Sequence, residues 1–109
     1  MMIFPHAQLI YDKLNSTKLN KLKNDLFEAA FNYARIRADW SFMEEDEKKA
    51  NDEARTRAHD TFIDCCNILS REMIKAGEDA DWRKYLGTDR KEIGDFACYI
   101  HCIIGLNER

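Results

Sequence analysis

Little in this 109-residue sequence can bend or break a chain. It holds one proline and four glycines, too few for a collagen-like repeat, a flexible linker or a loop-rich scaffold. Charge of one sign is also missing: 17 basic residues stand against 20 acidic ones, a formal net charge of −3. The basic residues are interleaved with acids and form no block. The usual electrostatic footprint of a nucleic-acid binder is therefore absent, and nucleic acid is not the expected partner. No run approaches the ~20 apolar residues of a membrane span, so no membrane partner is expected either. The apolar residues 1–4 lack a positive flank and meet Pro5 at once, which does not fit a secretory leader. A cytoplasmic location is the expectation, and there four cysteines read as free thiols.

What is present is helical periodicity nearly throughout. A first helix opens at Pro5 and carries Leu9, Ile10 and Leu14. Residues 15–17 break it, with Ser16 or Thr17 placed to cap the next helix. Over residues 18–40, Leu19, Leu22, Leu26, Ala29, Tyr33, Ile36 and Trp40 recur at spacings of three and four. Phe27, Ala30, Phe31 and Ala34 widen that stripe. Ser41 followed by Glu44 has the spacing of a capping box and predicts a new helix start. The second long helix runs to about Ala76, with Ala50, Ala54, Ala58, Phe62, Cys65, Leu69 and Met73 as its main stripe. A second stripe is His59, Ile63, Cys66, Ser70 and Ile74, and Gly77 follows as a stop. Folding the two helices back sets Trp40, Ile36 and Tyr33 against Ala50, Ala54 and Ala58, and Arg35 near Glu53. Residues 79–86 predict a short helix around Trp82, Tyr85 and Leu86. Asp89 with Glu92 then opens a last helix that ends near Gly105.

That last helix is the least polar part of the chain. On a wheel of about 100° per residue, Ile93, Phe96, Ala97, Ile100, Ile103 and Ile104 cover one face. Gly94, Cys98, His101 and Gly105 form a second row, with Cys102 beside it. A helix apolar nearly all round is buried on more than one side, in the bundle or against a second copy of the chain.

Chemistry-bearing patterns are incomplete. Cys98, Cys102, His101, His59 and Cys66 are the residues from which a zinc site would have to be built, with Cys65 as a substitute for Cys66. Their spacing contains no C-x-x-C knuckle, and buried cysteine is common in cores, so no metal or other cofactor is expected. His59-Asp60 resembles the dipeptide of HD-type metal phosphohydrolases, but only His6 and His101 remain to supply the other histidines that family uses. Glu44, Glu45, Asp46 and Glu47 fit a helix start, where the dipole favours negative charge. Nucleic-acid binding would have to run through Arg35, Arg37, Arg55 and Arg57, and Asp52 and Glu53 lie among them and largely neutralise them. Trp40 and Trp82 are each expected to pack the end of a helix. No glycine-rich phosphate loop or nucleophile elbow occurs.

The expected fold is an all-α antiparallel bundle, one domain over residues 1–109. Two long helices carry an N-terminal helix, a C-terminal helix and a short connecting helix. The expected function is a non-enzymatic interaction or regulatory module that forms a homodimer. Its partner-facing residues are Gly94, Cys98, His101, Cys102, Gly105 and Phe4. The alternative is a small metal-dependent hydrolase of nucleotides or phosphate esters, using Glu44, Glu45, Asp46, Glu47, Asp60 and Asp64. Burial of the last helix makes one position decisive. Ile100→Asp puts an unpaired charge into the packed layer and is expected to abolish the cooperative thermal transition, read by circular dichroism.

Overall fold

The computed structural model describes the backbone of residues 7–107 and the side chains of residues 9–102. Four α-helices and a 3-10 helix follow one another: α1 (Ala7–Ser16), α2 (Asn20–Ser41), α3 (Glu45–Lys75), the 3-10 helix (Asp81–Leu86) and α4 (Arg90–Asn107). No strand occurs among the described residues. The fold is an all-α bundle. The start expected at Pro5 lies outside the described residues.

Ring contacts give the directions of packing. Tyr33 of α2 meets His59 and Phe62 of α3 at centroid distances of 5.6 and 6.3 Å, and the Trp40 indole N–H donates to the Lys48 carbonyl at 3.2 Å. Later residues of α2 thus meet earlier residues of α3, so the pair is antiparallel. The same holds for α2 and α4: Arg37 reaches Asp95 at 3.1 Å, and Phe31 meets His101 at 4.8 Å. Helix α2, not α4, is therefore the central element. Its buried residues include Ala29, Ala30 and Ala34, small enough to let both neighbours approach. Leu26, Tyr33, Phe62, Leu69, Phe96 and Ile100 fill the space between.

The buried stripe of α3 is Ala58, Phe62, Cys66, Leu69 and Met73. Cys66, rather than the expected Cys65, lies on it, and Ala50 and Ala54 are exposed. The Trp40 ring, expected against those alanines, takes the Arg55 guanidinium at 4.0 Å and the Lys48 ammonium at 4.8 Å. Ile74, of the second stripe, is 67% exposed. Ser41 is not the cap of α3: its hydroxyl donates back to the Ala38 carbonyl at 2.7 Å inside α2, and Glu44 occupies the cap position. Arg35 does not meet Glu53. Arg35 donates to Asn32 at 3.3 Å, while Glu53 pairs with Arg57 at 3.0 Å along its own helix.

Gly77 ends α3 as expected, and its geometry has a consequence far along the chain. With φ at +78°, it turns the backbone so that Glu78 N–H donates to the Met73 carbonyl at 2.8 Å and Gly77 N–H to the Ile74 carbonyl at 3.0 Å. This is a Schellman stop. It aims the Glu78 carboxylate at the α1–α2 joint. There Glu78 accepts from the buried Thr17 hydroxyl and, at 3.1 Å, from the Lys18 N–H. The Thr17 oxygen in turn accepts from Leu19 N–H at 3.3 Å. Asp79 completes the clamp by pairing with Lys13 of α1 at 3.0 Å. Beneath it, Ile10 and Leu14 of α1 are buried with Trp82 and Leu86, and the Trp82 N–H faces the Met73 sulfur at 3.3 Å.

The Thr17 and Lys18 hydrogen bonds hold Glu78 below the usual carboxylate range, and the Asp81 N–H and then Lys13 do the same for Asp79. A carboxylate depressed on folding stabilises the fold fully above its unfolded value and loses that contribution as pH falls through the folded one. Amide protons of α1 are therefore expected to lose exchange protection first as pH drops below about 4, ahead of those at the centre of α2. Glu78→Gln should flatten most of that difference.

Candidate functional site

The face shared by α2 and α4 begins with how α4 starts. Gly87, at φ +84°, ends the 3-10 helix, and a Cβ there would lie 2.6 Å from Glu92 Cβ. Asp89 and Glu92 then close the expected capping box: Glu92 N–H donates to Asp89 Oδ1 at 2.8 Å, and Asp89 N–H to Glu92 Oε1 at 3.4 Å. The helix leaves this turn with Ile93, Phe96, Ala97 and Ile100 buried.

Gly94 is buried as well, and its neighbour is a side chain of the same chain. A Cβ on Gly94 would come within 2.6 Å of Arg37 Nε. Arg37 lies across this gap and donates to Asp95 Oδ1 at 3.1 Å and to Cys98 Sγ at 3.6 Å. Burial opposes the Arg37 charge, and the bonds to Cys98 and Asp95 outweigh it, so the guanidinium is held firmly cationic. The row of small residues on α4 thus receives an arginine from α2, where the sequence suggested a partner. Cys98 is half-buried beneath it.

Further along, the face opens. His101 and Cys102 are exposed. The His101 ring stands edge-on to Phe31, which keeps 49% of its surface in water despite its place on the α2 stripe. Phe27, Glu28, Phe31 and His101 line an apolar groove of about 470 Å3. Of the six residues expected to face a partner, the structure brings His101 to this groove, leaves Cys102 open and covers Gly94. Gly105 belongs to α4 beyond the described side chains, and Phe4 lies outside the described residues. Phe31 was missed as a surface residue because its spacing equals that of core positions.

The metal candidates do not converge. Among the described residues no group of three or more His, Cys, Asp or Glu side chains is placed to hold an ion. Cys66 is fully buried, and burial pushes its thiol up to about 12, so a thiolate there is costly. His59 sits on α3 with Nδ1 3.0 Å from Asp60, and its buried Nε2 has no hydrogen-bond partner among the described residues. Glu47 and Asp60 are thirteen residues apart on one helix, about 20 Å along its axis, so the carboxylates of the hydrolase reading do not share a site within the chain.

Comparison of the chain with protein-family models, with curated proteins and with solved structures gives no match in any of the three.

The Arg37 cover predicts how this face responds to change. Gly94→Ala gains roughly 1 kcal/mol of helix propensity and displaces Arg37 from a partly exposed pair worth up to about 1 kcal/mol, so net stability should barely move. Alkylation of Cys98 should nevertheless quicken as its cover leaves. In dilute wild-type protein the order of alkylation should be Cys102, then Cys98, with Cys66 last, read by mass spectrometry without denaturant.

Proposed function

We propose that this protein is a non-enzymatic helical interaction module that self-associates through the open part of the α2–α4 face. The observation that carries the reading is Phe31, half in water beside His101 on the rim of an apolar groove. A second copy is the occupant that suits this surface. The groove carries an acid, Glu28, and a histidine, His101, so a twofold axis near Phe31 sets Glu28 of one copy toward His101 of the other. A half-exposed phenylalanine gains only about 1 kcal/mol from cover, against about 8 kcal/mol for micromolar affinity, so the homodimer has to bury the whole groove and is expected to be weak. The free thiols of all four cysteines suit a reducing compartment, and the proposed location is cytoplasmic. No described helix is long and apolar enough to cross a membrane.

Sedimentation velocity over a micromolar concentration series tests the reading. Wild type should pass from monomer to dimer, and Phe31→Ser should remain monomeric with an unchanged far-ultraviolet spectrum. A wild-type chain that stays monomeric at high micromolar concentration overturns it.

A further inference from the structure

Arg37, Arg55 and Arg90 come from α2, α3 and α4 and converge, with Lys91, Tyr33 and Trp40, around a cavity of about 310 Å3. Among the described residues no carboxylate lines this cavity. Two acids stand behind its cations. Asp95 is shared by Arg37 at 3.1 Å and Lys91 at 3.4 Å, and Asp52 holds Arg55 at 3.0 Å. Arg90 meets the neutral Thr56 hydroxyl at 3.3 Å and has no ion pair among the described residues. Four positive charges are therefore answered by two negative ones, in a chain whose overall charge is −3.

Arg55 pairs with Asp52 through one Nη, and its Nε, shut off from the cavity, has no hydrogen-bond partner among the described residues. The guanidinium lies on the Trp40 ring at 4.0 Å, which holds it in place. Tyr33 is 1% exposed, and burial keeps its hydroxyl protonated against the pull of Arg37, Arg90 and Arg55. Like charges gathered this closely repel, and an anion among them removes the repulsion. Guanidinium groups bind oxyanions through fixed N–H forks. A planar carboxylate takes one such fork. Donors arriving from three helices match the separated oxygens of a tetrahedral anion better. The cavity is at the small end for ligand sites, and Arg55 and Lys48 already occupy the Trp40 ring, so no nucleobase is accommodated by stacking.

The geometry points to a binding site for phosphate, free or as the ester of a small molecule, held by Arg37, Arg55 and Arg90 where α2, α3 and α4 meet. The site lies toward the C-terminal end of α2, beyond Phe31, and does not depend on self-association.

Calorimetric titration of the full chain with inorganic phosphate, against chloride at equal ionic strength, tests it. Wild type should show saturable binding with a change in Trp40 fluorescence, over a constant signal from buried Trp82. Arg90→Gln, an exposed change at the first residue of α4, should weaken binding about tenfold. Arg35→Gln, whose guanidinium meets Asn32 outside the cavity, should leave it unchanged. Glycerol phosphate binding more tightly than phosphate marks an ester as the ligand, and equal binding marks the ion; either supports the site. No saturable response beyond chloride overturns it, as does an equal loss in the two arginine variants.

Discussion

Helix α2 has to carry α3 on one side and α4 on the other, and alanines at 29, 30 and 34 make that possible. Small residues bring three backbones together, and Phe62 and Phe96 from the neighbours then reach each other, with centroids 6.3 Å apart. Each large side chain buried there contributes about 1.5–3 kcal/mol, against about 0–1 kcal/mol for an exposed ion pair. The apolar contacts therefore set the positions of α3 and α4, and the charged groups take the places this leaves them. Arg37 lies over Gly94 because Phe96, Ala97 and Ile100 have already fixed where α4 runs.

A second constraint works through the backbone. Gly77 has no Cβ to penalise a positive φ, so α3 ends sharply and Glu78 faces the α1–α2 joint. One local conformation thereby ties together residues about sixty positions apart in sequence. Helix α1 is short, and a ten-residue helix is marginal alone. It is held by Ile10 and Leu14 beneath and by Glu78 and Asp79 at its end.

These two constraints explain what was legible in the sequence. Spacings of three and four located every α-helix, because a stripe must face a core whichever neighbour supplies it. Gly77 and the Asp89–Glu92 box were legible because a backbone stop and a capping box are local. Ser41 misled because its hydroxyl had two local partners, and the Ala38 carbonyl won. The surroundings of Gly94, Phe31 and Glu78 depend on residues tens of positions away. A helical wheel distinguishes a covered side from a bare one only by polarity, so it could not tell that a guanidinium covers the small residues of α4. Nor could it tell that Phe31 sits where the bundle has run out of cover.

The four arginines singled out in sequence divide in the same way. Arg35 and Arg57 spend their charge along their own helices, on Asn32 and Glu53. Arg37 and Arg55 sit where α2 meets its neighbours, and Arg90 joins them from α4. An acidic total and scattered basic residues argue against a long polyanion, whose affinity grows with the number of phosphates it neutralises at once. They say nothing against one small anion. Three cations contributed by three helices never appear as a basic run. The interleaving that weakens the case for nucleic acid is what packing turns into a pocket: each helix needs to supply only one arginine at the right height, and its remaining charges can balance locally.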